Sequence, residues 1–164
     1  MSDPDLTTKA QAVLAACRKA GLMLATAESC TGGMVAAALT DIAGSSDVVE
    51  RGFVTYSNAA KSDLLGVPAP LIAAHGAVSA EIAEAMARGA LDHAPVGLAV
   101  SITGIAGPGG ATPGKPVGLV YFGIARRGGA CRTERHVFAG DRAAVRHDAA
   151  SLALDLLKDA AETG

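Results

Sequence analysis

Apolar and polar positions follow two different periods along this chain. Over residues 6–20 the apolar side chains recur at the spacing of one helix face, and Gly21 follows where a left-handed residue ends a helix. The apolar run 22–27 predicts a strand, and residues 31–42 return to a helical pattern. Residues 51–57 carry β-branched and aromatic side chains and predict a second strand. Asn58 is a candidate cap for a short helix over 59–65, closed by Gly66. Pro70 opens another over 71–75. Ser79 caps a longer one over 80–93, with Ile82, Ala83, Met86, Ala90 and His93 on one face. The nearly unbroken apolar run 96–102 predicts a strand buried on both faces. A Gly/Pro-rich loop, 103–116, follows it. Strands are then expected at 117–125 and 132–138, joined by a turn at Arg126-Arg127-Gly128-Gly129. Asp141 caps a final helix running to about residue 161. With no repeat and no linker, the pattern predicts a single α/β domain over residues 1–164. It has three layers, with a mixed, mostly parallel sheet flanked by helices.

Composition narrows the function classes. Half of the residues are hydrophobic and 18% are charged, which suits a packed core and argues against disorder. The net charge of −2 comes without a basic stripe, so neither a nucleic acid nor a membrane surface is an expected partner. Aromatic residues are only 3%, so a planar ligand has few rings to stack on. The three cysteines form no C-x-x-C pair, and the polar N-terminus leads into no apolar segment, so a reduced, cytoplasmic setting is expected.

The stretch Ala27-Glu28-Ser29-Cys30-Thr31-Gly32-Gly33 lies where a strand gives way to a helix. A hydroxyl on that turn is a candidate nucleophile, with the N–H groups of Thr31, Gly32 or Gly33 as oxyanion donors. The same residues also suit a plain helix cap with glycines for close packing. Cys30 is a rival nucleophile, because a helix start acidifies a thiol. Lys61 lies on the first turns of the helix after the second strand, where the dipole and burial both favour the neutral amine. Tyr56 is a second polar group near it. The loop Thr103-Gly104-Ile105-Ala106-Gly107-Pro108-Gly109-Gly110 leaves the carboxyl end of a buried strand, where open α/β sheets bind ligands. Arg142 and Arg146, one turn apart, could clamp an anion or simply pair with Asp141 or Asp148. The four histidines have no metal-ligand spacing and read as structural.

Taken in order, further stretches join the first. They are Arg51-Gly52-Phe53-Val54-Thr55-Tyr56-Ser57-Asn58 with Lys61, His75-Gly76-Ala77-Val78-Ser79, Ser101-Ile102-Thr103-Gly104-Ile105-Ala106-Gly107-Pro108, Lys115-Pro116-Val117-Gly118, and Gly140-Asp141-Arg142 with Val145-Arg146. Together they resemble the CinA C-terminal domain family, over about residues 8 to 158. The resemblance implies hydrolysis of the carboxamide of nicotinamide mononucleotide in pyridine nucleotide salvage. It implies Ser29 as nucleophile and Lys61 as base, with Tyr56, Thr103 and the arginine at 142 or 146 in support. The loop glycines, Gly104 and Gly107 among them, would then contact the phosphate. It also implies a homodimer or higher homo-oligomer. The chemistry calls for no metal and no cofactor. Two other readings stand beside it: a non-catalytic nucleotide-binding or regulatory module, and an amidase for a different amide.

Overall fold

Asp3 starts the first helix, accepting hydrogen bonds from the N–H groups of Asp5 and Leu6 at 2.9 and 3.3 Å. The computed structural model describes residues 3–163. Helix α1 (Pro4–Ala20) ends at Gly21, which takes the left-handed φ of 69°. Strand β1 (Leu24–Glu28) is buried throughout. Helix α2 (Met34–Thr40) starts later than the pattern predicts, because Gly32 and Gly33 hold φ of 60° and 105° and cannot belong to a right-handed helix. Strand β2 (Val49–Val54) leads to α3 (Asn58–Leu65), whose cap is Ser57 rather than Asn58: Ser57 Oγ accepts from Ala60 N at 3.0 Å. Helices α4 (Ala69–His75) and α5 (Ala80–Asp92) follow, then β3 (Leu98–Gly104), β4 (Leu119–Arg126), β5 (Cys131–Val137) and α6 (Arg142–Thr163).

The sheet has five strands in the order β2-β1-β3-β4-β5. β1 pairs in parallel with both β2 and β3, while β4 pairs antiparallel with β3 and β5, so only β4 runs against the others. One apolar cluster joins the sheet to α1, α2 and α6, and a second joins its other face to α3, α4 and α5. The second face is lined by small residues, including Ala25, Ala27, Ala99 and Ala125. They let α5 lie close to the sheet. A Cβ added at Gly123 would come within 2.4 Å of the Ala83 carbonyl, which also accepts the Ser101 hydroxyl. Glu28 lies level with Val54 on β2 and Ile102 on β3, so the parallel strands deliver their following residues to one edge of the molecule. No helix among the described residues is long and apolar enough to cross a membrane.

Candidate active site

Three strand ends build the site. Ser29 is the first residue past β1, and its N–H remains in the ladder, donating to Ile102 O at 2.9 Å. Residues 55 and 56 leave β2 toward the Ser57 cap, and α3 carries Lys61 back toward the sheet. The Lys61 amine lies 3.1 Å from Ser29 Oγ and 2.9 Å from the Thr55 carbonyl. Lys61 is only 1% exposed and Ser29 8%. Among the described residues no carboxylate hydrogen-bonds the amine, and burial holds its pKa below the ordinary 10.5. With Thr55 O taking one N–H, a neutral amine has a lone pair free to face the Ser29 hydroxyl.

Ser29 and Lys61 line a cavity of about 250 Å³, together with Cys30, Tyr56, Asn58, Ala77, Val78, Arg142 and the loop from Thr103 to Gly110. Arg142 closes one side, donating to Gly107 O at 2.9 Å and to the Tyr56 hydroxyl at 3.0 Å. Thr103 Oγ1 donates to Ala77 O at 2.8 Å, tying β3 to the opposite wall. Lys115 Nζ makes a similar tie to His75 O at 2.7 Å.

The structure brings Ser29, Lys61, Tyr56, Thr103, Gly104, Gly107 and Arg142 to one cavity. It does not bring Thr31, Gly32, Gly33 or Arg146 there. The Thr31 hydroxyl is turned to Glu28, at 2.7 Å. The Gly32 N–H is taken by Ser29 O at 3.0 Å, so it is no oxyanion donor here. Arg146 donates to Cys30 O and Thr31 O at 3.0 and 3.3 Å and braces the turn instead. The helix start does not acidify Cys30. Burial pushes its thiol up to about 11, and the Glu28 carboxylate adds to the rise.

Glu28 is the residue that sequence reasoning passed over. It is wholly buried at the end of β1 and accepts from Thr31 Oγ1, Val35 N and Ala36 N at 2.7, 3.0 and 3.1 Å. The signal was present: a helix that opens on two glycines has no capping side chain, so its first N–H groups need an acceptor from elsewhere.

The chain is similar to known proteins in sequence and in fold. The CinA C-terminal domain profile matches residues 6–161. The chain is 59% identical over 141 residues to a CinA-like protein of Citrifermentans bemidjiense, covering 86% of this chain and 34% of that protein. It thus spans about a third of the length of the long CinA-like relatives. It is 50% identical to the nicotinamide-nucleotide amidohydrolase PncC of Escherichia coli (strain K12), over 96% of this chain and 95% of the other. The crystal structure of the competence/damage inducible protein CihA from Agrobacterium tumefaciens superposes with a TM-score of 0.92 at 44% identity, covering 96% of each chain. From the profile match and these likenesses, the chain belongs to the CinA C-terminal domain family.

Proposed function

We propose that this protein hydrolyses the carboxamide of nicotinamide mononucleotide to nicotinate mononucleotide and ammonia. The observation that carries the reading is the 3.1 Å contact between a buried lysine amine and a serine hydroxyl at the floor of an open cavity. The likeness to PncC along almost the whole chain supplies the substrate. An amide is a weak electrophile, so its hydrolysis needs an activated nucleophile and a base able to carry the proton. Ser29 Oγ bonds to the carboxamide carbon as its proton passes to Lys61 Nζ. The tetrahedral intermediate then breaks its C–N bond, and nitrogen takes the proton from Lys61 and leaves as ammonia. Water attacks the ester on Ser29 by the same route, and the proton on Lys61 returns to Ser29 Oγ. The Cys30 N–H follows the nucleophile and has no partner among the described backbone bonds, so it suits the oxyanion. Arg142 suits the 5′-phosphate, exchanging its bonds to Tyr56 and Gly107 for charged ones. The setting is cytoplasmic pyridine nucleotide salvage, with the chain in a homo-oligomer, as the family resemblance implies.

The test is ammonia release from nicotinamide mononucleotide, nicotinamide riboside and free nicotinamide. The reading expects the mononucleotide to be hydrolysed best. Release from another amide only would assign a different substrate, and no release with bound mononucleotide would mark a binding module.

A further inference from the structure

Glu28 is the only buried carboxylate among the described residues, and the reaction above gives it no work. Its three donors come from both sides of Gly32-Gly33: Thr31 before the glycines, Val35 and Ala36 after them. The carboxylate therefore spans the turn and ties its two ends together. It also does what the N-cap of α2 cannot, since Gly33 has no side chain to accept the orphan N–H groups of the first turn. Arg146 on α6 takes the carbonyls of Cys30 and Thr31. An acid thus holds N–H groups of this segment and a base holds its carbonyls. Neither Glu28 nor Arg146 lines the cavity that Ser29 and Lys61 share.

We propose that Glu28 and Arg146 are positioning residues of the nucleophile turn, a clamp on its donors and its carbonyls that keeps Ser29 Oγ within reach of Lys61 Nζ. This rests on the reading of Ser29 as nucleophile. The two glycines in left-handed conformation are where the turn would otherwise give. A displacement of about 1 Å at the nucleophile is enough to cost on the order of a hundredfold in rate.

The test uses Glu28→Gln and Thr31→Val beside the wild type. Each is read for ammonia release, and for the rate at which phenylmethanesulfonyl fluoride modifies Ser29, located by peptide mass. In Glu28→Gln one amide N–H₂ meets a backbone N–H, so a donor loses its acceptor. The expected kcat falls roughly a hundredfold while KM stays within about twofold. Sulfonylation slows in parallel, because it reads the hydroxyl without substrate. Thr31→Val removes a single hydrogen bond and is expected to lower both rates about three- to tenfold. A folded Glu28→Gln with wild-type kcat and sulfonylation overturns the proposal, as does a loss confined to KM. If Glu28→Gln does not fold, Thr31→Val decides: unchanged rates overturn the proposal. If the wild type releases no ammonia but Glu28→Gln still slows sulfonylation, the clamp stands and the substrate reading falls. Arg146→Ala is expected to lower kcat without raising KM. A rise in KM specific to the mononucleotide would return Arg146 to substrate binding.

Discussion

Burying an amine such as Lys61 sets two contributions against each other. Its four-carbon stem is buried, but its ammonium loses water and finds only a hydroxyl and a carbonyl among the described residues. The lowered pKa has a stability consequence. The unfolded chain binds this proton up to about 10.5 and the folded chain releases it at lower pH. Folding is therefore penalised most at pH below the folded value, and the penalty fades as pH rises toward 10.5. Lys61→Met should accordingly unfold at a higher temperature than the wild type at neutral pH. The gap should close in alkaline buffer, as followed by thermal melts. At the neighbouring position, Ser29→Ala should abolish ammonia release with the fold intact, whereas Cys30→Ala should keep most of it, since a thiol raised to about 11 supplies little thiolate. The reverse pattern would reassign the nucleophile. At this scale the sequence was informative in an uneven way. Ser29 and Lys61 came into view through ordered motifs, because nothing in residue spacing brings position 61 to position 29. The turn pattern offers the Thr31 N–H to a ligand, but Thr31 lies outside the cavity lining and its hydroxyl bonds Glu28, a contact that a turn pattern does not contain.

The elements follow from periodicity except where backbone geometry overrides it. α1, α5 and the β4–β5 hairpin lie within a few residues of their predicted bounds, because their caps and turn glycines are local signals. α2 is shorter at both ends than its pattern suggests, and residues 22–23 stay outside β1. Helix-to-helix distance is a further quantity that local pattern does not contain. Gly89 on α5 shows it: a Cβ there would lie 2.1 Å from Leu65 O at the end of α3. α3 is the helix that holds Lys61, so this close approach sets the depth of the base. Gly89→Ala should lower stability by about 1–3 kcal/mol, from overpacking against backbone. Ammonia release should fall beyond the loss of folded protein. Thermal melts read beside the rate per folded molecule check this, and a variant of wild-type stability would show that α3 and α5 separate without penalty.

In the whole molecule, three parallel strands end level with one another and three loops meet there. The succession of strands and helices made this α/β layering legible, together with the strand-end position of the loop after residue 103. The path of that long loop was not legible, because its contacts run to His75, Ala77 and Arg142, far away in sequence. Arg142 joins the loop to Tyr56 across the cavity, and the proposed function gives its charge the phosphate. Arg142→Ala should cost roughly 1.5–3 kcal/mol in kcat/KM with the mononucleotide and much less with the riboside. Equal losses on the two substrates would show that Arg142 does not read the phosphate.

The proposed mechanism requires a neutral Lys61 to take the proton of Ser29. Ammonia release from nicotinamide mononucleotide by Lys61→Arg, measured across pH beside the wild type, is the decisive measurement. A guanidinium keeps its proton throughout the accessible range, so Lys61→Arg should be as inactive as Lys61→Ala. The wild-type rate should rise with pH along its acid limb, with a midpoint below the ordinary 10.5 of lysine. A Lys61→Arg variant with substantial activity and an unchanged acid limb would take the base away from Lys61.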